Sequence, residues 1–519
     1  MLNLAFIFHM HQPYYKDLLT QKADLPWVRL HGVKDYLDMV QILEKYPKIH
    51  KTFNVVPSLL EQIEDYGCGN IKDKFLELSY KAAKDLTPDE KTFILKNFFS
   101  INKDRVISFF PRYYELYFKK QRGGEFSTND YLDLQVWFNL AWIDPSFRLK
   151  FPELKATVAK GRFFSEEEKR VVLDKQLIIL KDIIPNYNKF RESGQIELSV
   201  TPYYHPILPL LYSTNSAKEA NRQSLLPKEE FRYPQDALAQ IDSSVTFYQE
   251  RFKIAPQGMW PSEESVSESI LGPIINSGIK WIVSDEAILF KSLNKKRRDT
   301  QLLYQPHLLK REEGELNIVF RDRNLSDLIG FTYHTWKAEN AVMDFIGHLD
   351  DINKAFKNED ILVVIAMDGE NAWEYYANDG QDFLNLLYQR LSESSSIKTT
   401  TVSEYLKTHQ TKSKIRHLCA GSWIYGNFNK WMANPYKTKA WDWLLEARKK
   451  LDKINKDLSA EKLTLAWKQI YILEGSDWFW WYGEDPDGSF DKLFRRHLNN
   501  FYAIIGEIPP DYLQSPLST

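Results

Sequence analysis

Residues 3–13 read NLAFIFHMHQP, and this stretch decides the fold prediction. Its first six residues are mostly apolar, which is typical of a strand buried on both faces, as in a parallel sheet. Two histidines, His9 and His11, follow the apolar run. Because they are two residues apart, both imidazoles would leave a strand on the same face. The segment therefore predicts a buried first strand that delivers polar side chains to one end of a sheet.

Short apolar runs of the same kind recur along the chain, with helical stretches between them. The seven candidate strands lie at residues 3–8, 51–56, 196–200, 257–260, 280–284, 316–320 and 361–366. Strands that alternate with helices indicate an α/β fold with a mainly parallel sheet. Seven such strands suit a closed or nearly closed barrel, and they also suit a doubly wound sheet.

Two long intervals interrupt this alternation. The second and third runs are about 140 residues apart, too far for one crossover, so a helical insertion is predicted at about residues 61–190. After residue 400 the strand pattern fades, and helices are predicted at 437–456, 459–474 and 488–505. We therefore expect a catalytic α/β domain over 1–400 and a C-terminal helical domain over 401–519 that completes the substrate cleft.

The composition limits the classes of partner and the compartment. Of the 519 residues, 43% are hydrophobic and 27% charged, and the net charge is −2, so neither nucleic acid nor an anionic membrane is an expected partner. Two cysteines, Cys68 and Cys419, are too few for a disulfide framework. The first residues lack the features of a signal peptide, and no apolar run reaches 18 residues, so a cytoplasmic protein is expected.

Polar residues follow nearly every candidate strand. They are His9 and His11, Asn54, Thr201 and His205, Glu263 and Glu264, Asp285 and Glu286, Arg321 and Asp322, and Asp368 and Glu370. The carboxyl ends of parallel strands meet on one face of such folds, which is where functional sites are built. This pattern favours an enzyme over a structural protein.

Two of these strand ends carry a carboxylate beside an indole. Glu263 ends the sequence Trp-Pro-Ser-Glu that starts at Trp260, and Asp368 lies five residues before Trp373. A pair of carboxyl groups beside aromatic rings suits glycoside cleavage, where one group attacks the anomeric carbon and the other protonates the leaving oxygen. Taken singly, each carboxylate could equally be a solvated acid or a helix N-cap.

Five ordered segments resemble the motif regions of glycoside hydrolase family 57. They are His11–Pro13, Gly194–Thr201, Trp260–Glu263, Met367–Asn371 and Gly421–Ile424, and residues 474–483 extend the likeness. The resemblance implies a retaining α-glucan enzyme with an incomplete (β/α)7 barrel, interrupted by the helical insertion and followed by a helical domain. It also implies that Glu263 is the nucleophile and Asp368 the general acid/base.

The resemblance and the residue types together give a set of substrate contacts. His11, Arg321, Trp423 and Asp477 match substrate-contacting positions of the family, and His9 is expected to contact the sugar beside His11. Trp260 and Trp431 are further candidates for stacking on sugar rings. Glu264 is a departure, because relatives of the amylase and amylopullulanase type usually have glycine there.

Two other kinds of protein stay open at this point. His9 and His11 could begin a metal site like those of polysaccharide deacetylases and α-mannosidases, with Asp285, Asp368 or His205 as a third ligand. Because no tight ligand spacing appears, sugar-binding or structural histidines are favoured, and neither a metal nor a cofactor is expected. A non-enzymatic glucan-binding protein would lack a catalytic carboxylate, and both candidates are present.

The sequence thus predicts a retaining hydrolase that cleaves α-1,4 bonds in an α-glucan or maltooligosaccharide by double displacement. That mechanism requires the two carboxyl groups about 5–5.5 Å apart. Amylopullulanase or 4-α-glucanotransferase activity on the same scaffold stays open, as does the oligomeric state.

Overall fold

A computed structural model describes residues 1–357, 359–485 and 488–517 of the chain. All seven predicted runs form strands, and five further strands accompany them. The strands are β1 (Leu2–Met10), β2 (Lys22–Ala23), β3 (Lys51–Val55), β4 (Lys72–Asp73), β5 (Ile196–Ser199), β6 (Gly258–Met259), β7 (Trp281–Asp285), β8 (His307–Arg311), β9 (Gly314–Arg321), β10 (Ile361–Asp368), β11 (Ile397–Thr399) and β12 (Ser413–Lys414).

The seven predicted strands divide between two mainly parallel sheets. One sheet has the order β10-β1-β3-β5, with β11 also paired to β1, and the other has the order β12-β8-β9-β7-β6. A parallel bridge between Val200 and Met259 links β5 to β6, and the Asp322 amide donates a 2.8 Å hydrogen bond to the Val364 carbonyl between β9 and β10. Strand β8 runs antiparallel to β9. The prediction of a mainly parallel sheet in an α/β fold is confirmed.

The two sheets face a shared interior. Side chains from both of them meet there in a separate apolar cluster of Ala5, Ile7, Trp260, Trp281, Val283, Val319, Leu362, Val364, Ala366, Val402 and Tyr405. All nine residues of β1 are buried, so this strand is covered on both faces, as its apolar run predicts. Val402 and Tyr405 belong to a short helix that covers the amino ends of the strands.

The pairing register brings the polar strand ends to one edge. His9 at the end of β1 lies opposite Asp368 of β10 on one side and Asn54 of β3 on the other. Asn54 in turn lies opposite Ser199 of β5. A one-residue shift in any of these pairs would turn the side chains to the other face of the sheet. The register therefore fixes which polar groups meet.

The predicted helical insertion is present between β3 and β5. Its helices are Pro57–Cys68, Lys74–Tyr80, Pro88–Asn97, Pro111–Gln121, Thr128–Ala141, Pro145–Lys150, Pro152–Lys160 and Glu166–Glu192. Capping boxes start the longest two, since Ser127 pairs with Asp130 and Ser165 with Glu168 in the reciprocal pattern.

Further helices connect the later strands and follow them. Between β1 and β3 lie Trp27–His31 and Asp38–Gln41, and after β5 come Leu208–Tyr212, Ser216–Ala220, Pro234–Phe252, Leu271–Asn276, Glu286–Ser292, Thr300–Leu303, Arg323–Asp327, Ala338–Ala355, Gln381–Glu393 and Val402–Thr408. The C-terminal part contains Asn429–Met432, Pro435–Ile454, Ala460–Leu473, Ser476–Trp481 and Ser489–Ile505.

The three helices predicted after residue 400 are confirmed within two residues at each end. The division into domains at residue 400 stays a prediction. Five positions of the two predicted domains lie outside the described residues, namely 358, 486, 487, 518 and 519. Among the described residues, no helix has both the length and the apolar character needed to cross a bilayer.

Candidate active site

Three histidines and an asparagine form the floor of the site. The His9 Nδ1–H group donates a 2.6 Å hydrogen bond to Asn54 Oδ1, and His9 Nε2 lies 3.1 Å from His205 Nε2. The Asn54 amide is oriented by Ser199 Oγ, which lies 3.1 Å from its Nδ2, and by the Thr201 hydroxyl, which donates to Oδ1 at 2.8 Å. Because Asn54 Oδ1 accepts, His9 carries its proton on Nδ1.

The protein environment keeps two of these imidazoles neutral. Burial and the neighbouring His11 lower the pKa of His9 to about 3, although the hydrogen bond to Asn54 opposes this shift. Burial and the other two histidines lower the pKa of His205 well below its ordinary value. Neutral imidazoles can both donate and accept hydrogen bonds, which suits contact with sugar hydroxyl groups.

Glu263 lies on a tight turn directly after β6. Residues 262–264 form one 3₁₀ turn, and Glu263 adopts a left-handed backbone conformation with φ 58°. Trp423 Nε1 donates a 2.7 Å hydrogen bond to Glu263 Oε2, and the Trp423 amide donates to the Glu263 carbonyl at 3.2 Å. The turn and the indole together hold the carboxyl group in one orientation.

A loop from the C-terminal half carries Trp423 to this position. Its start is fixed by an antiparallel bridge between Gly421 and Val266. Gly421 has φ 155°, and a Cβ atom there would lie 2.4 Å from the Gly426 carbonyl oxygen, so the loop requires glycine. In the sequence Gly-Ser-Trp-Ile, the loop backbone therefore requires the glycine at 421. The hydrogen bonds to Glu263 require the tryptophan at 423.

Asp368 ends β10 beside His9. Asn371 Nδ2 donates a 3.1 Å hydrogen bond to Asp368 Oδ2, and the Gly369 amide donates to the His9 carbonyl at 2.8 Å. Burial raises the pKa of Asp368, against the opposing influence of Asn371, His11 and Arg321. A raised pKa favours the protonated form of the carboxyl group, which is the form a general acid needs.

Glu263 and Asp368 interact electrostatically. Burial and then the charge of Asp368 raise the pKa of Glu263 to about 8, whereas the Trp423 hydrogen bond lowers it. Two carboxyl groups that disfavour simultaneous ionisation share protons as a pair. The charge of Asp368 therefore favours the protonated form of Glu263, which ionises as the pH rises through about 8.

Polar partners surround this pair. His11 Nε2 donates a 2.9 Å hydrogen bond to Asp477 Oδ1, and both side chains are only partly buried. The guanidinium of Arg321 lies 5.3 Å from the Trp423 ring centroid and forms a 2.5 Å ion pair with Asp327. Of the predicted contacts, His9, His11, Arg321, Trp423 and Asp477 thus come from distant parts of the chain to one end of the sheets.

Two of the predicted sugar platforms are placed differently. Trp431 has no exposed surface; it tilts against Trp480, and its carbonyl accepts a hydrogen bond from Trp441. The prediction that Trp431 stacks on sugar is corrected, because a covered ring presents no face. Trp260 is equally buried, but its indole stacks on His9 at 4.9 Å between centroids and meets Trp423 edge-on. The Trp260 ring thus packs against the site residues His9 and Trp423 and presents no surface to solvent.

Glu264 lies behind the turn, with its side chain fully buried. Neither of its carboxyl oxygens has a hydrogen-bond partner. Burial is the largest cause that raises the pKa of Glu264 well above its ordinary value. Glu263 is held by the Trp423 hydrogen bond and Glu264 by none, which favours Glu263 as the oriented nucleophile.

Three residues of the site were not assigned a site role from sequence. The sequence indicates Asn54 only as a polar strand end and His205 as a polar strand end or a third metal ligand, and it does not single out Ser476, whose hydroxyl lies 2.9 Å from His205 Nδ1. The signal available was the polar pair Ser476 and Asp477 directly before an aromatic run. The structure adds that both bind histidines.

Comparison with known protein families decides the membership of this chain. The model of glycosyl hydrolase family 57 matches residues 5–416. The chain belongs to glycosyl hydrolase family 57. It is therefore an enzyme of the glycoside hydrolase or transferase kind, and the motif segments around Glu263 and Asp368 lie inside the matched region. Curated protein sequences include no match to it.

Solved structures of the family share the fold of this chain. It is 16% identical to a branching enzyme from Pyrococcus horikoshii, with a TM-score of 0.63 over 97% of this chain and 89% of that one. It is 14% identical to the α-amylase AmyC from Thermotoga maritima, with a TM-score of 0.60 over 99% and 95%. It is also 14% identical to a 4-α-glucanotransferase from Thermococcus litoralis, with a TM-score of 0.53 over 97% of this chain and 60% of that one.

Proposed function

We propose that this family 57 protein is a retaining enzyme that cleaves α-1,4 bonds of α-glucans or maltooligosaccharides. The observation that carries the proposal is the pairing of Glu263 with Asp368, two partly buried carboxyl groups with raised pKa values at one end of the strands. Family 57 membership and the fold shared with enzymes named for α-glucan chemistry support the choice of substrate.

In the first step Glu263 attacks the anomeric carbon while Asp368 protonates the glycosidic oxygen. One Glu263 oxygen, Oε2, accepts from Trp423 Nε1, so Oε1 is the oxygen available to form the glycosyl–enzyme bond. The aglycone leaves with the proton of Asp368. Asp368, now ionised, then removes a proton from water or an acceptor hydroxyl, whose oxygen displaces Glu263. The two carboxyl groups must be about 5–5.5 Å apart for this sequence.

We further propose roles for the groups around the pair. His9, His11, Arg321, Trp423 and Asp477 bind the sugar on which the reaction takes place. The hydrogen bond from His11 to Asp477 ties the end of β1 to the C-terminal helix Ser476–Trp481, so both parts of the chain would form one cleft. The two facing sheets are then the incomplete (β/α)7 barrel, and the C-terminal helices complete the cleft.

Transfer to a second sugar is a second candidate outcome of the same chemistry. Tyr425 lies two residues after Trp423, is 84% exposed and has a left-handed backbone with φ 56°. An exposed aromatic ring so close to the Glu263 turn suits stacking on an acceptor sugar. A bound acceptor hydroxyl would compete with water for the glycosyl–enzyme intermediate.

The reaction of the purified protein with maltoheptaose tests this proposal. We expect turnover, with the first reducing-end products in the α configuration by proton NMR. Only shorter chains would indicate a hydrolase, and chains both shorter and longer than the substrate would indicate a glucanotransferase with the same two carboxylates. First products in the β configuration, or no turnover of maltoheptaose and amylose, would contradict the proposed function.

A further inference from the structure

His9, His11 and His205 form a cluster in which nitrogen atoms of the three rings lie close together. One nitrogen from each of the three lies within 4.8 Å of the other two. His9 Nε2 and His205 Nε2 are 3.1 Å apart, and His11 Nδ1 is buried without a hydrogen-bond partner. Three imidazole nitrogens that converge in this way are the ligand set of many zinc sites.

The opposite nitrogen of each ring is held by an oxygen atom. Asn54 Oδ1 binds His9 Nδ1 at 2.6 Å, Asp477 Oδ1 binds His11 Nε2 at 2.9 Å, and Ser476 Oγ lies 2.9 Å from His205 Nδ1. Histidines that ligate metals almost always have their second nitrogen bound to a carboxylate, carbonyl or similar oxygen, which fixes the tautomer. With the ring protons on the outer nitrogens, His9 Nε2 and His11 Nδ1 each carry a lone pair.

His205 can present its inner nitrogen as well. The Ser476 hydroxyl can accept a hydrogen bond as readily as donate one. When it accepts from His205 Nδ1–H, the Nε2 atom of His205 is free to bind. His205 has a left-handed backbone with φ 58°, and its ring centroid lies 5.0 Å from that of His9 and 3.8 Å from that of His11.

We propose that His9, His11 and His205 bind one divalent transition-metal ion of the Zn²⁺ class. Two nitrogens bonded to one tetrahedral zinc at about 2.0–2.1 Å lie about 3.3 Å from each other, close to the His9–His205 spacing of 3.1 Å. The His11 ring stacks on His205 with centroids 3.8 Å apart and must rotate to complete the site.

Bound metal would block the glucan site. His9 is opposite Asp368 in the strand register, and its ring stacks on Trp260, which contacts Trp423. Resting on the function proposed above, the metal and the sugar compete for the same imidazoles, so zinc acts as an inhibitor of glucan cleavage. Metal binding itself does not depend on that proposed function.

Direct titration of the full-length protein tests the site. After dialysis against a chelator, the protein is titrated with Zn²⁺ by calorimetry and with Co²⁺ by visible absorption. We expect one equivalent of each ion, with cobalt bands typical of four-coordinate nitrogen ligation. No stoichiometric binding, or six-coordinate cobalt spectra only, would overturn the proposal.

Matched histidine variants assign the ligands. His205→Gln should abolish stoichiometric binding, whereas His348→Gln, which changes a half-exposed histidine on the helix Ala338–Ala355, should bind like the wild type. Ser476→Ala, which removes the group that orients His205, should weaken binding about 10–100-fold. If circular dichroism shows that His205→Gln is unfolded, His11→Gln is used in its place. Equal binding by these variants and the wild type would contradict the site.

A competition arm separates the two proposals. Maltoheptaose should weaken zinc binding to the wild-type protein, and zinc should inhibit its cleavage competitively. Stoichiometric zinc binding that maltoheptaose leaves unchanged would keep the metal site and contradict the placement of the glucan. The absence of zinc binding together with normal turnover would contradict the metal site and keep the proposed glucan-cleaving function.

Discussion

At the residue scale, Glu263 and Asp368 differ in the causes that raise their pKa values. Both are partly buried, but Glu263 also faces the charge of Asp368, which is the second cause of its pKa of about 8. A folded-state pKa above the ordinary value means that the ionised nucleophile forms only as pH rises through that value. The acid limb of kcat/KM, which reports the free enzyme, should therefore lie well above the ordinary range of a glutamate.

The variant Asp368→Asn should shift this limb to lower pH. Removal of the neighbouring negative charge lowers the pKa of Glu263, so the nucleophile ionises earlier. A glycosyl fluoride substrate is used, because fluoride leaves without protonation and the loss of the acid does not mask the first step. The profile of kcat/KM against pH gives the measurement.

A matched control separates this local effect from a general change in charge. Asp351→Asn removes a carboxylate that is 77% exposed on the helix Ala338–Ala355, and its acid limb should stay at the wild-type position. An acid limb that is the same in Asp368→Asn and the wild type would contradict the electrostatic coupling of the two carboxyl groups.

At the scale of elements, the loop after Gly421 connects the nucleophile to the rim of the site. Gly421 and the bridge to Val266 fix its start, Trp423 binds Glu263, and Tyr425 projects into solvent. The close approach at Gly421 leaves the loop little freedom to move away from the turn at residues 262–264. One short element thus orients the nucleophile and presents an aromatic ring beside it.

If Tyr425 stacks on an acceptor sugar, Tyr425→Ala should lower the ratio of transfer to hydrolysis severalfold. Loss of a stacking contact costs about 1 kcal/mol, which corresponds to a factor of about 5 in occupancy. The ratio is measured from the chain-length profile on maltoheptaose with and without added glucose as acceptor. Tyr425→Phe keeps the ring and should resemble the wild type; an equal loss in both variants would exclude stacking as the cause.

The strands could be predicted from sequence and the loops could not. Runs such as 361–366 are buried on both faces, so their apolar residues are continuous and mark them plainly. Strand β8 was missed because His307–Arg311 mixes polar and apolar residues and pairs antiparallel with β9. The position of His205 depends on a left-handed backbone conformation. Because that conformation is uncommon for residues other than glycine, a histidine in the sequence does not predict it.

At the scale of the whole molecule, the site unites residues from nearly the full length of the chain. His11 and Asp477 are 466 positions apart, yet they share a 2.9 Å hydrogen bond. Sequence patterns predicted that strand ends converge, since that follows from parallel topology. They did not predict that Trp431 is covered, because the burial of an indole depends on which helices pack over it, here through Trp441 and Trp480.

The central claim, that Glu263 is the nucleophile of a retaining enzyme, is tested most directly by trapping the covalent intermediate. The protein is incubated with a 5-fluoro-α-glycosyl fluoride, which forms the glycosyl–enzyme bond faster than water breaks it. Peptide mass spectrometry then locates the added sugar. We predict one sugar per chain on Glu263, no labelling of Glu263→Gln, and labelling of Glu264→Gln at the same position. A sugar on Glu264, or no covalent adduct in a protein that turns over maltoheptaose, would contradict the claim.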